Sequence, residues 1–208
     1  MPEPAPDQDP TTRPAVHATP AAPPTAVATA AFAVPAEAVW RYRLDFANLP
    51  EYNPDVSDVE RVADGDPAGV GGVHGVGARY RFGLADPRRP AQPQPVELWM
   101  VAAEEPTLVA AGMLGGNEAY EEFVVRPLDA AATGAAGTVG CEATLTLWVT
   151  LPDGLPDDVI AAAADGSLEQ ISKELRLMKE VLEGRGGPGA GAGTGGGAPE
   201  TPLPPAGP

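Results

Sequence analysis

Pro35-Ala36-Glu37-Ala38-Val39-Trp40-Arg41-Tyr42-Arg43-Leu44-Asp45-Phe46-Ala47-Asn48-Leu49-Pro50-Glu51-Tyr52-Asn53-Pro54 contains two short helical segments and a stop. Pro35 suits the first helical position, where its missing N–H does no harm. Val39, Trp40 and Leu44 give the first segment an apolar side, and it ends near Asp45. Phe46–Tyr52 reads as a second helical turn, stopped at Asn53-Pro54 because a residue before proline avoids the helical region.

On the N-terminal side, Thr25–Val34 (TAVATAAFAV) reads as a strand. On the other side, strands are expected at Val56–Val62, Ala78–Leu84, Val96–Ala103, Leu108–Met113, Ala119–Arg126 and Thr138–Leu151. Asp64–Gly77 is a glycine-rich loop, and turn clusters at Asp86–Pro95, Glu104–Thr107, Leu114–Asn117 and Pro127–Gly137 separate the later strands. Consecutive strands with short connections argue for an antiparallel meander rather than βαβ crossovers. After Pro156, apolar residues at Ile160, Ala164, Leu168, Ile171, Leu175, Met178 and Leu182 recur every three or four positions, the face of an α-helix. From Asp157 to Glu183 it would run about 40 Å. Asp157 and Asp158 at its start and Lys173, Arg176 and Lys179 in its second half suit the helix dipole. Asp165-Gly166-Ser167 should kink or break it, since a glycine inside a helix costs about 1 kcal/mol against alanine.

Composition divides the chain. Residues 1–24, rich in Pro, Ala and Thr, and 184–208, rich in Gly, Pro and Ala, lack the apolar surface to offset backbone ordering and are expected to be disordered. The remaining unit, 25–183, is large enough for one domain with its own core. It carries 11 Lys and Arg against 25 Asp and Glu, and such an acidic surface repels phosphate backbones, so nucleic-acid binding is not expected. The N-terminus has no basic and apolar leader pattern, and no run of 18 apolar residues suggests a membrane span, so a soluble cytoplasmic protein is expected. The Ala, Gly, Pro, Arg and Val bias suggests a GC-rich bacterial genome. Cys141 is the single cysteine, which excludes an internal disulfide.

One strand, two short helices, a six-stranded meander and a long closing helix is a distinctive order. It resembles the START-related superfamily (SRPBCC), which includes plant pollen-allergen proteins and the polyketide cyclase/dehydrase and lipid-transport family. The match is best at Pro35–Trp40 and Asp45–Pro54, where the family pairs P-x-x-V-W with D-F-x-N-x-P-x-W-x-P. Tyr52 stands here where tryptophan is commoner. GCEATLTLWVTLP, 140–152, and LEQISKELRLMKEVLE, 168–183, also look like the family. The resemblance implies an α+β helix-grip fold. A curved antiparallel sheet of about seven strands would wrap around the C-terminal helix, with a cavity between them for sterols, lipids or polyketide chains.

Strand alternation says which residues should face that cavity. Tyr80, Phe82 and Leu84 share a face opposite Arg79 and Arg81, and Cys141, Ala143, Leu145, Leu147, Val149 and Leu151 share one opposite Glu142, Thr144, Thr146 and Trp148. Burying unpaired arginine is costly, so the apolar faces should point inward. Val96, Leu98 and Met100 compete with Glu97, Trp99 and Val101, and Glu121, Phe123 and Val125 with Tyr120, Glu122 and Val124. The expected ligand-binding set is Tyr80, Phe82, Leu98, Met100, Phe123, Leu145 and Leu147, with Ile171, Leu175 and Met178 from the helix. A ligand should enter between the glycine-rich loop and the kinked helix, and replacing Tyr80 and Phe82 should weaken its binding.

The candidates for catalysis are Glu121 and His74. If Phe123 points inward Glu121 follows, and a carboxyl group in an apolar cavity could act as acid or base; otherwise Glu121 is a solvated rim residue. His74 is either a solvated loop side chain or a base that closes over a ligand. Gly72-Val73-His74-Gly75-Val76-Gly77 is not a phosphate cradle, because a strand rather than a helix follows it. One histidine and one cysteine make no metal site, and Cys141 among alternating apolar residues reads as core. With no cofactor motif, three functions remain open. The protein binds or carries an apolar small molecule, or it is an aromatase/cyclase-like enzyme for aldol cyclisation or dehydration, or it is an acidic interaction adaptor.

Overall fold

The computed structural model describes residues 20–85, 89, 92–114, 118–128 and 140–185. Strand β1 (Ala26–Phe32) leads into α1 (Ala36–Leu44), a 3-10 turn at Phe46–Asn48 and α2 (Leu49–Tyr52). A meander follows: β2 (Val56–Ala63), β3 (Arg79–Leu84), β4 (Gln94–Glu104), β5 (Leu108–Leu114), β6 (Ala119–Pro127) and β7 (Cys141–Val149), closed by α3 (Asp157–Arg185).

The strands form one seven-stranded antiparallel sheet in the order β1-β7-β6-β5-β4-β3-β2. The first strand therefore pairs with the last, Phe32 opposite Cys141 and Ala26 opposite Leu147. The curved sheet grips α3, as the resemblance implies. Irregular pairing bends β2 between Ser57 and Glu60, where Asp58 has a positive φ of 54°, and bends β4 between Met100 and Ala102. Such bulges increase local twist and help the sheet curve.

The competing faces resolve by burial. Val96, Leu98 and Met100 are buried while Glu97, Trp99 and Val101 are half-buried on the other side. There Trp99 carries the Arg79 guanidinium 5.4 Å above its ring, and Arg79 Nε donates to Glu97 at 2.7 Å. Phe123 and Val125 point inward, and Glu121 goes with them.

Core and cavity divide the sheet between them. At one end Phe32, Cys141, Ala143, Leu145 and Val109 pack with Trp40 and Val39 of α1 and with Leu175 and Met178 of α3. Trp40 is fastened by its indole N–H, which donates to the Leu108 carbonyl at 2.8 Å. Full burial of side chains of this size contributes roughly 1.5–3 kcal/mol each.

Of the kink or break expected at Asp165-Gly166-Ser167, the break does not occur: α3 is one continuous helix. Its apolar stripe is buried only in the second half: Ile171, Leu175 and Met178 are inside, whereas Ile160 and Leu168 are exposed. The second half packs on β1 and α2. The first half lines a hollow through Ala163, Gly166, Ser167 and Gln170, and Ile160 and Leu168 are not part of that lining.

Of the two stretches expected to be disordered, residues 1–19 and 186–208 lie outside the described residues. Residues 20–24 lead into β1, and the Ala22 carbonyl accepts a hydrogen bond from Trp148 Nε1 at 3.0 Å. Residues 184 and 185 continue α3. Parts of the turn clusters expected at 86–95, 114–117 and 127–137 also lie outside the described residues.

Candidate functional site

A cavity of about 760 Å³ lies between the sheet and the first half of α3. Its apolar wall comes from Phe82 and Leu84 on β3, Val96 and Leu98 on β4, Met113 on β5, Leu147 and Val149 on β7, and Ile171 on α3. The inward side chains of β7 thus serve two purposes. Cys141, Ala143 and Leu145 fill the core, while Leu147, Val149 and, just beyond the strand, Leu151 line the cavity. The rim includes exposed Ala85, Gln94 and Gly166, so the mouth lies between α3 and the ends of β3 and β4. A Cβ on Gly166 would meet nothing within 4 Å.

The other end of the cavity is polar. Arg43, at the end of α1, is 1% exposed; Nη1 donates to Tyr52 Oη at 2.7 Å and Nη2 to Glu121 Oε1 at 2.6 Å. The guanidinium lies 5.0 Å from the ring centroid of Phe46, 5.4 Å from that of Tyr52 and 5.6 Å from that of Phe123. Its Nε is buried without a hydrogen-bond partner. Across from it, Glu174 of α3 accepts from Asn53 Nδ2 at 2.8 Å and from Gln170 Nε2 at 3.3 Å. Arg43, Asn53, Glu121, Gln170 and Glu174 all line the cavity.

Burial and pairing set the charges. Burial pushes the Glu174 carboxyl up to about 7, with Arg43 opposing and Glu121 adding to the shift. Burial works against the charge on Arg43, yet Glu121 and Tyr52 hold it above the ordinary arginine value. Burial raises the Tyr52 phenol as well, against the pull of Arg43. The result is a fixed guanidinium–carboxylate pair beside a carboxyl that titrates near neutrality.

Several expected site residues stand on the cavity wall: Phe82, Leu98, Leu147, Ile171 and Glu121. Tyr80, Met100, Phe123, Leu145, Leu175 and Met178 are buried in the core outside that lining. Glu121 is not a solvated rim residue but 8% exposed against Arg43.

His74 is not a solvated loop side chain. It is half-buried, with Nδ1 2.8 Å from Tyr80 Oη and 3.2 Å from Asp45 Oδ1, and Arg61 Nη1 lies 3.3 Å from its ring nitrogens. The glycine-rich loop is folded onto the protein, and none of residues 69–77 lines the cavity. Gly71 holds a φ of 84°, and a Cβ there would meet Leu44 Cδ2 at 2.7 Å, so the turn closes against α1. The opening of the cavity at the ends of β3 and β4 lies away from this loop, beside which entry was expected.

Arg43 and Glu174 were missed by the sequence reading, although a signal existed. Arg43 follows Val39 by four and Trp40 by three, which puts it on the apolar side of α1. Glu174 follows Ile171 by three and precedes Met178 by four, inside the helix stripe. Among the described residues no group of three or more His, Cys, Asp or Glu side chains could hold a metal ion, and no helix is long and apolar enough to cross a membrane.

A curved antiparallel sheet gripping a helix, with a hollow between them, defines a cavity protein of the START-like class. The chain belongs to the polyketide cyclase / dehydrase and lipid transport family, whose profile matches residues 23–183. A START superfamily protein from Mycobacterium smegmatis is similar in structure (TM-score 0.53, 18% identity), over 76% of this chain and 96% of that one. An aromatase/cyclase from a Streptomyces species gives a TM-score of 0.57 at 14% identity, over 80% of this chain and 97% of that one. A conserved protein from Geobacillus kaustophilus gives 0.51 at 11% identity, over 76% and 95%. These likenesses extend to the fold. No curated protein matches the chain.

Proposed function

We propose that this protein binds an apolar or amphipathic small molecule (a lipid, isoprenoid or polyketide-like compound) in the cavity under α3. The observation that carries this reading is a 760 Å³ hollow with an apolar wall and a few polar groups gathered at one end. That size and pattern are typical of sites for small organic ligands. Membership of a family described by cyclisation, dehydration and lipid transport supports it. The test is native mass spectrometry of the purified protein, with organic extraction of what co-purifies. A stoichiometric apolar adduct is expected, released when the cavity is filled by Leu147→Trp. An adduct that survives in this variant, or wild-type protein that takes up no apolar compound even when supplied, would sink the reading.

A second reading, catalysis of aldol cyclisation or dehydration, draws on one specific observation. Glu174, pushed up to about 7, lines the cavity together with Arg43, so a proton-transfer group stands beside a fixed positive charge. The likeness to a Streptomyces aromatase/cyclase is compatible with it. Turnover of a reactive polyketone that is abolished in Glu174→Gln would favour this reading; turnover unchanged in that variant would remove Glu174 from it.

A further inference from the structure

We propose that the cavity selects an amphipathic amine, an apolar body with a protonated nitrogen at one end, and seats that nitrogen on the Glu174 carboxylate. The proposal rests on the reading that the cavity binds a small molecule, and it names the head group that goes in first.

Glu174 is 7% exposed, and it forms part of the cavity lining. One of its carboxyl oxygens is engaged: Oε1 accepts from Asn53 Nδ2 at 2.8 Å and from Gln170 Nε2 at 3.3 Å. Oε2 takes no hydrogen bond from the protein, yet it is not sealed off. Among the described residues, Arg43 Nε is the one inaccessible side-chain polar atom without a partner, so Glu174 Oε2 is open to a molecule in the hollow. A free acceptor at the end of an apolar cavity is where a ligand's donor is best placed.

Charge then restricts the donor. The lining carries one cation, Arg43, against Asp55, Glu121 and Glu174. Two of these carboxylates are matched, Glu121 by Arg43 at 2.6 Å and Asp55 by Lys173 at 3.3 Å. Glu174 has no cation of its own. The groups that face it are Arg43 from α1, Tyr52 and Asn53 from the end of α2, Glu121 from β6 and Gln170 from α3. The single guanidinium among them is already held by Tyr52 and Glu121. Burial accordingly pushes the Glu174 carboxyl up to about 7, so that it keeps a proton where a counter-charge is missing. Buried charges are tolerated when paired and hydrogen-bonded. An alkylammonium group supplies both: it donates to Oε2, the proton it displaces from Glu174 leaves to solvent, and two positive charges then balance two negative ones. A carboxylate head group would add a third negative charge beside Glu121 and Glu174. A hydroxyl or hydrocarbon end would bring no counter-charge at all.

The experiment measures displacement of an uncharged fluorescent dye, N-phenylnaphthylamine, from the full chain by decylamine, decanol and decanoate at about pH 8 and about pH 6. At the higher pH decylamine is expected to bind about tenfold more tightly than decanol, the effect of one charge-assisted hydrogen bond, with decanoate weakest. Below about pH 7 the affinity for decylamine should fall by close to about tenfold per pH unit, because the proton on Glu174 must leave before the ammonium pairs. The affinity for decanol should stay level. In Glu174→Gln, which keeps an acceptor for Asn53 and Gln170, amine and alcohol should bind alike at both pH values. If that variant loses its near-ultraviolet circular dichroism, calorimetry of decylamine binding to the wild type at about pH 6 is read instead. In buffers of different ionisation enthalpy it should show release of about one proton. Equal binding of decylamine and decanol by the wild type overturns the inference and leaves cavity binding standing. So does tightest binding of decanoate, bound dye that none of the three displaces, an amine preference that persists in Glu174→Gln, or amine binding without proton release. Failure of every probe, dye included, to bind the wild type overturns both readings.

Discussion

Arg43 and Glu121 are 78 positions apart in the chain, yet their side chains meet at 2.6 Å with 1% and 10% of their surfaces exposed. The contact joins the end of α1 to the first part of β6, so the helix before the meander is tied to the sheet at the floor of the cavity. Removing one partner would leave a buried charge uncompensated, whereas removing both would leave an apolar gap. Glu121→Ala alone is therefore expected to destabilise the fold by about 3–5 kcal/mol, and the pair Arg43→Met with Glu121→Leu by much less. Urea denaturation of the single and double variants checks this, and equal losses would mean that the pair is not the unit that matters.

Glu174 makes stability fall as pH rises. Its carboxyl stands near 7 in the folded protein, against 4.5 for the free group. Between those values the folded state holds a proton that the unfolded state has lost, so its contribution is complete below about 4.5 and gone above about 7. The loss across that window is on the order of 3 kcal/mol. Arg43, Glu121, Asn53 and Gln170 surround the carboxyl and are unchanged in Glu174→Gln, which should flatten the profile. Thermal unfolding of both proteins between pH 4.5 and 7.5 is the measurement.

Gly166 lies inside α3 with open space where a Cβ would be. Gly166→Ala should raise stability by roughly 1 kcal/mol through backbone propensity alone. Chemical denaturation reads this directly; a loss of stability would show that the helix needs glycine there to bend.

Leu145 and Leu147 share one face of β7 but occupy different surroundings. Leu145 is 1% exposed in the core, and Leu147 is half-buried on the cavity wall. Leu145→Ala should cost about 2–5 kcal/mol. Leu147→Trp should lower the affinity for an apolar dye by at least about tenfold and change stability by about 1 kcal/mol or less, because the new ring enters space that is already empty. Dye titration beside urea unfolding separates the two effects.

Burial pushes the Cys141 thiol up to about 11 and leaves the residue unexposed. At pH 8 it should react with a thiol reagent only as fast as the protein unfolds, and at the free-thiol rate in denaturant. Rapid labelling of the folded protein would place Cys141 at the surface.

The order of elements was legible because it rests on periodicity and punctuation. The alternation in ARYRFGL and the three-and-four spacing from Ile171 to Met178 each correspond to a face the structure buries. The same spacing misled at Ile160 and Leu168, since periodicity shows which side of a helix is apolar and not whether anything is packed there. The floor of the cavity was half legible. Glu121 could be placed by following Phe123 along the strand, but its partner lies in another element, and no local pattern announces a contact across 78 positions. For His74 the loop composition suggested solvent, whereas Asp45 and Tyr80 hold the ring against the 3-10 turn and β3. Which inward residues line the hollow and which fill the core depends on where α3 stops touching the sheet, a three-dimensional fact.

That division along β7 has a consequence for descent. The inward residues from Cys141 to Leu145 pack in the core, while Leu147, Val149 and Leu151 border the cavity. On the proposed reading of the cavity as a ligand site, substitutions at one end of the strand would alter ligand preference while substitutions at the other would alter packing. Exchange of residues 147–151 between distant relatives should transplant preference without transplanting instability.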